Sequence, residues 1–305
     1  MSAEVALTMR PVVAGVIDVG SNTLRLLVAT SGRRGLDTIL SERTHVGLAA
    51  DVERHGAISE ARLRRVHEVA ERYGVLARER GVDRLEVVVT APGRQSANAA
   101  ALHEQLADAT GVPVRQLSAE EEGRLAYAGA VGACRSVPET VAVVDVGGGS
   151  TQIMVGTKEG PAWLRPIELG SLRLTERVVR ADPPAGEELE ALAVLAQQAF
   201  EGVTPPLPIS ALATGGTART LRRTAGRRLG EKNLTEALKT FTAKPARELA
   251  AEYDVPRERA RVLPAGAILL REAHRLLGVK LEVAKGGVRE GALRAMLAEL
   301  AAEAA

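Results

Sequence analysis

Apolar positions along this chain fall into two kinds of pattern, and their order predicts the architecture. The first kind is a short, nearly continuous apolar run bounded by small polar residues, the mark of a strand buried on both faces. VVAGVIDVGSNTLRLLVAT (12–30) is two such runs around a small polar turn, and VAVVDVGGGSTQIMVGT (141–157) repeats the plan. In both, an aspartate ends the first run, Asp18 and then Asp145. LDTILSERT (36–44) and PAWLRPIEL (161–169) read as third strands. The second kind is helical, in ISEARLRRVHEVAERYGVLARER and GEELEALAVLAQQAF. A further strand then ends in VVVTAPGR (87–94) or in ISALATGGTAR (209–219).

Order and spacing repeat together, which is the signature of an internal duplication. Asp18 lies 72 residues before Thr90, and Asp145 lies 69 before Thr214. The reading is α/β, with two duplicated βββαβα lobes, sheets covered by helices and a cleft between the lobes. The first lobe is expected over residues 1–132 and the second over 133–287, with SVPET (136–140) opening it and EGVTPPLPIS (201–210) a loop inside it. A last helix, about 288–305, is expected to pack back on the first lobe.

Composition narrows the partners. A length of 305 residues suits two domains that each bury a core. Aromatic residues make up only 2%, so the core is aliphatic and the stacking platform of a single-strand nucleic-acid binder is lacking. No nucleic-acid polymer is expected as a partner. Net charge is +2, yet only six of the 40 basic residues are lysine, and arginine suits bidentate phosphate contacts. The single cysteine, Cys134, excludes an internal disulfide and a CxxC metal site. Five scattered histidines show no ligand spacing. MSAEVALTMRP lacks the basic and apolar parts of a leader, and no stretch approaches the length of a membrane span. A cytoplasmic protein without a membrane partner is expected.

The turns carry the candidate chemistry. A P-loop needs GxxxxGK[ST] before a helix, and a dinucleotide fold needs GxGxxG opening one; here a strand follows each turn. Glycine in such a turn permits positive φ and leaves backbone N–H groups open, a nest for phosphate oxygens. Candidate phosphate ligands are therefore Gly20, Ser21, Asn22 and Thr23, and Gly147, Gly148, Gly149, Ser150 and Thr151. An aspartate beside such a nest repels phosphate unless a divalent cation lies between them, so Asp18 and Asp145 are candidates for Mg²⁺. A third cradle, Gly215, Gly216 and Thr217, leads into a helix whose N-terminus favours anions. Arg219, Arg222, Arg223 and Arg227 follow at helical spacing, as one face that can track a polyanion.

VIDVGSNTLRLLV, VVDVGGGSTQIMVG and LATGGTARTL resemble the phosphate-1, phosphate-2 and third glycine-rich motifs of the actin, hexokinase and heat-shock-70 superfamily. Within it the chain resembles the exopolyphosphatase/guanosine-pentaphosphate phosphohydrolase (Ppx/GppA) family, through TAPGRQSAN (90–98), SAEEEGRLAYAGA (118–130), ELGSLRLTER (168–177) and LPAGAIL…GGVREGAL (263–293). It looks like the short, two-domain members, and departs from the family at Ala284-Lys285, where serine is more usual. The resemblance implies two actin-like (ribonuclease H-like) lobes, Mg²⁺ as cofactor and a homodimer. It also implies an exopolyphosphatase that hydrolyses the terminal phosphoanhydride of inorganic polyphosphate to release orthophosphate, with guanosine pentaphosphate as the alternative substrate. The short form implies a preference for short chains.

The resemblance assigns the general base to Glu121, the first Glu of the pair before a small residue and Arg124. The same stretch, Ser118-Ala119-Glu120-Glu121, fits a helix capping box, and Glu120 and Glu122 stay as alternatives for the base. Arg94, after the strand that precedes TAPGR, is expected to hold the terminal phosphate. Arg25 is a further ligand candidate, and Arg289-Glu290 fits either an ion pair or a substrate contact. An ATP-dependent kinase of the same superfamily and a non-catalytic polyphosphate sensor are the rival readings.

Overall fold

The protein, as a computed structural model, is described over residues 10–33 and 35–303. The expected absence of a leader and the last two residues of the final helix lie outside that range. The first half contains β1 (Val13–Val19), β2 (Thr23–Gly32), β3 (Gly35–His45), α1 (Leu48–His55), α2 (Glu60–Glu79), β4 (Arg84–Val89), α3 (Ala91–Gln95), α4 (Ala99–Thr110), β5 (Val114–Gln116) and α5 (Ala119–Gly132). The second begins with β6 (Val141–Val146), β7 (Thr151–Thr157), β8 (Gly160–Ile167), α6 (Ser171–Val178), α7 (Gly186–Phe200), β9 (Ser210–Thr214) and α8 (Gly215–Thr224). It continues through β10 (Arg228–Leu229), α9 (Glu231–Thr242), α10 (Ala246–Tyr253), α11 (Arg257–Arg261), α12 (Leu263–Leu277), β11 (Leu281–Val283) and α13 (Val288–Glu303).

The two sheets run β3-β2-β1-β4-β5 and β10-β11-β9-β6-β7-β8. Each starts as an antiparallel meander whose first strand also pairs in parallel with the strand after the helices, β1 with β4 and β6 with β9. That central place explains the apolar runs, since β6 is buried along its whole length and β1 beyond its first residue. Both sheets gain short strands beyond the βββαβα plan; β5 and β11 span only three residues each, too few to leave a periodic pattern.

One face of the first sheet, through Ile17, Val19, Leu24 and Leu26, packs on α2 and α4. Its other face, through Ala14, Val16, Leu27 and Val88, packs on Leu293, Met296 and Leu297 of α13. The second sheet mirrors this. Val144, Ile153 and Ala213 face α7 and α12, whereas Val143, Met154 and Leu212 face Ala126, Tyr127 and Ala130 of α5. The expected chain boundary near residue 132 thus falls at the end of α5, but by packing α5 covers the second sheet. The helix that ends each half covers the sheet of the other.

The exchanged helices cross in backbone contact. A Cβ on Gly129 would lie 1.9 Å from the carbonyl oxygen of Gly287, and one on Gly291 1.9 Å from that of Leu125, so only glycine fits. Away from this crossing, α1 and α6 join the lobes through Arg54–Glu176 at 2.6 Å and Glu53–Arg173 at 2.9 Å. Among the described residues, no helix is long and apolar enough to cross a membrane.

Candidate active site

The two strand–turn–strand units meet at the floor of a cleft. Each turn is closed alike, with Gly20 N–H donating to Thr23 O at 3.1 Å and Gly147 N–H to Ser150 O at 3.0 Å. Carbonyls beyond them are drawn back by the helix of their own lobe. Ser21 O accepts from Ala49 N–H at 2.9 Å, Gly147 O from Ser171 at 2.9 Å and Gly148 O from Leu172 at 2.9 Å. A trans peptide points its N–H opposite to its C=O, so the N–H groups of Asn22, Gly148 and Gly149 are turned to the cleft. The turns also touch across the lobes. A Cβ on Gly149 would lie 2.5 Å from Ser21 Oγ and 2.8 Å from Ala91 Cβ, which leaves no room for a side chain.

A third wall is the N-terminus of α8. Gly215 has φ +94°, and a Cβ there would lie 2.3 Å from Val146 O, so the strand can turn directly into the helix only at glycine. Gly215 and Gly216 line the cleft at the positive end of the helix dipole. Arg219, one turn on, lines it too, with Arg25 from β2, Arg259 from α11, and Arg289 and Glu290 from the start of α13. Burial, then the like charges of Arg219 and Arg289, holds Arg25 well below the ordinary guanidinium range. Burial, with Arg43 and Arg219, brings Arg259 down to about 9. A group of buried guanidiniums that depress one another favours the arrival of a compact polyanion.

Asp18 and Asp145 sit at the base of this wall, each 8% exposed. Each is next to last in its strand, opposite Arg25 and Gln152 respectively. Burial raises the pKa of Asp18 against the pull of Arg25, and raises Asp145 to about 6 against that of Arg219. Among the described residues no three or more His, Cys, Asp or Glu side chains group to enclose a metal. Two lone carboxylates beside phosphate nests suit a divalent cation that keeps water and phosphate oxygens as its remaining ligands.

Of the three glutamates at 120–122, Glu122 is the one that lines the cleft. It is 6% exposed, and burial pushes its pKa up to about 8. Arg94 opposes that shift, with its Nη2 2.9 Å from Glu122 Oε2. Glu121, expected as the base, is directed elsewhere. Its Oε2 accepts from Ser118 N–H at 2.9 Å, Ser118 Oγ accepts from Glu121 N–H at 3.1 Å, and its Oε1 pairs with Arg115 at 2.8 Å. Arg115 and then the Ser118 N–H hold it below the usual carboxylate range. The capping box and the acidic run coexist because consecutive helical positions face different sides.

Of the remaining expected ligands, Gly20, Ser21, Asn22, Thr23, Gly147, Gly148, Gly149, Ser150, Gly215 and Gly216 line the cleft together with both aspartates. Thr151 and Thr217 do not. Thr151 Oγ1 donates to Leu169 O at 2.7 Å, and Thr217 is wedged against Gly266, where a Cβ would lie 2.2 Å from its Oγ1. Arg94 lies on the short helix α3 and reaches the site through Glu122. The arginine face breaks up: Arg219 enters the cleft, Arg222 and Arg223 are exposed, and Arg227 lies past the end of α8 and pairs with Glu282. Sequence reasoning missed Arg259. It lies on the five-residue helix α11, too short to leave a periodic pattern that would mark its burial.

A family model described as the Ppx/GppA phosphatase family matches residues 27–300. The chain is 29% identical over 286 residues to exopolyphosphatase 2 of Mycobacterium tuberculosis, covering 86% of this chain and 89% of that protein. It is 27% identical over 295 residues to exopolyphosphatase 1 of the same organism, covering 91% and 86%. Among solved structures, the Ppx/GppA family member of Aquifex aeolicus superposes with a TM-score of 0.79 at 27% identity, covering 96% of this chain and 98% of that one. An exopolyphosphatase from Cytophaga hutchinsonii superposes with a TM-score of 0.85 at 21% identity, covering 94% and 98%. The two-lobed α/β architecture is thus the actin-like fold of those crystal structures.

Proposed function

Because the chain belongs to the Ppx/GppA phosphatase family, we propose that it is an exopolyphosphatase, which hydrolyses the terminal phosphoanhydride of inorganic polyphosphate and releases orthophosphate. The observation that carries this reading is the lining of the cleft: backbone turns, a helix N-terminus and arginines, with no aromatic side chain among the described lining residues. Such a lining is suited to phosphate groups, and the lack of an aromatic surface for a base favours polyphosphate over a nucleotide in this reading.

In this mechanism the N–H groups of Asn22, Gly148 and Gly149 and the N-terminus of α8 hold the oxygens of the last phosphates. Arg25, Arg219 and Arg259 orient the chain and balance its charge. Glu122 takes a proton from the attacking water as oxygen attacks phosphorus, and the bridging oxygen leaves with the shortened chain. In its ionised form a carboxylate of raised pKa is a better proton acceptor than an ordinary one, and Arg94, 2.9 Å away, favours that form. Asp18 and Asp145 would hold Mg²⁺, whose charge neutralises phosphate oxygens when it is bound. Glu121 supports the reaction only by capping α5.

The test is a phosphate-release assay on the purified protein, with polyphosphates of several lengths, guanosine pentaphosphate and ATP in parallel. Release from polyphosphate at the highest kcat/KM supports the reading. Release from guanosine pentaphosphate or ATP alone contradicts it.

A further inference from the structure

Beyond the catalytic floor, the arginines continue outward along both walls of the cleft. On the first lobe, Asp18, Arg25 and Arg43 are direct cross-strand partners on β1, β2 and β3. Partners opposite one another project from the same face of a sheet, so the three form a row that steps outward by about 5 Å per strand. The row ends on β3, the edge of its sheet. On the second lobe, Arg219 lines the cleft and Arg223 lies four residues further along α8, on the same helical face. That spacing carries the charge roughly 6 Å outward.

None of these guanidiniums is in an ion pair with a carboxylate among the described residues, although ion pairing is the habit of this chain. Arg54, Arg84, Arg115, Arg173 and Arg275 all find acidic partners. Arg25 and Arg219, the inner members of the two rows, both line the cleft, and burial, then the like charges of Arg289 and Arg223, holds Arg43 below the ordinary guanidinium range. Deeper in the same cleft, Arg259 is 8% exposed and its buried Nε has no hydrogen-bond partner. Like charges along the two rows repel one another, and a polyanion lying along both would relieve that repulsion.

We propose that Arg43 and Arg223 form an outer phosphate subsite at the mouth of the cleft, which grips internal phosphates of a chain whose end lies at Glu122. The proposal rests on the polyphosphate reading and adds to it a determinant of chain length. A chain too short to span from the floor to Arg43 gains nothing from the subsite. A longer one gains linked contacts that slow its release.

The experiment compares wild type with Arg43→Gln, Arg223→Gln and the double variant, on tripolyphosphate and on long-chain polyphosphate. Thermal unfolding of each variant beside wild type checks that the fold is kept. For the double variant, kcat/KM on the long chain should fall about tenfold, while that on tripolyphosphate stays within about twofold. Arg43→Lys should recover part of the loss, since it restores charge without the planar fork. An equal loss on both substrates, or none on the long chain, overturns the proposal. The same substitutions in a Glu122→Gln background give a binding readout that needs no turnover. Affinity for long polyphosphate should fall about tenfold and affinity for tripolyphosphate should not; unchanged affinities overturn the proposal. Wild type that releases no phosphate from any polyphosphate contradicts the exopolyphosphatase reading, and the binding result then decides the subsite by itself.

Discussion

Replacing Gly129 by alanine separates two effects that usually travel together. In the interior of a helix the change alone favours folding by about 1 kcal/mol, because alanine restricts the unfolded chain and suits the helix. At Gly129 the added Cβ would lie 1.9 Å from Gly287 O and 2.8 Å from Gly291 N, against a usual approach beyond about 3 Å. The obstacle is backbone, so no rotamer relieves it, and the first turn of α13 must retreat by more than 1 Å. Overpacking of this kind costs about 3 kcal/mol, the upper end of its usual range, leaving a net loss of roughly 2 kcal/mol. In a domain of this size that is a fall of about 4–8 °C in Tm. The retreat also disturbs the Thr214 Oγ1 bond to Gly286 O and the loop that delivers Arg289 and Glu290, so turnover should fall with stability. Gly74→Ala in α2 is the matched control. Its Cβ would meet nothing closer than 3.4 Å, at the mobile end of Arg78, and the change should stabilise by up to about 1 kcal/mol. The assay is thermal unfolding of both variants beside phosphate release. If Gly129→Ala is as stable and as active as wild type, the close crossing of α5 and α13 is refuted.

Two further outcomes follow from the charged groups. The Glu122 carboxyl has a pKa of about 8 in the fold against an ordinary 4.5. Its protonated form is therefore favoured by folding, a contribution present at low pH and lost as pH rises towards 8. In metal-free buffer, wild type should lose Tm relative to Glu122→Gln between pH 5 and about 8, and parallel curves would refute the shift. Chelation should abolish phosphate release and Mg²⁺ restore it, with Asp145→Asn less than about 1% active; full activity in chelator would remove the role given to Asp18 and Asp145.

The duplication was legible because strand and helix patterns recurred in the same order, and because Asp18 and Asp145 ended equivalent apolar runs. The three strands of each meander, α2 and α7 lie close to the expected ranges. The exchange of α5 and α13 was not legible, since it depends on glycines at backbone contacts made between distant parts of the chain. The same holds for Thr151 and Thr217. Their sequence neighbours belong to the cradles, yet alternation along β7 and rotation around α8 turn them into the core. Glu122 was within reach. Ala119, Glu122, Gly123, Ala126, Tyr127 and Ala130 recur at helical spacing and are all buried, whereas Glu121 falls off that face. Periodicity read through α5 separates Glu122 from Glu121 by the face each takes, and it would have pointed to Glu122 as the glutamate turned inward.

The central claim is that Glu122, rather than its neighbour, is the group that activates water. The direct test is the turnover of Glu122→Gln and Glu121→Gln on polyphosphate, with substrate affinity measured in parallel. The account predicts that Glu122→Gln loses roughly two to four orders of magnitude in kcat while still binding polyphosphate. Glu121→Gln should stay within about threefold of wild type, with a stability loss of about 1 kcal/mol from the weakened cap. Near-normal turnover in Glu122→Gln beside an inactive, folded Glu121→Gln would contradict it.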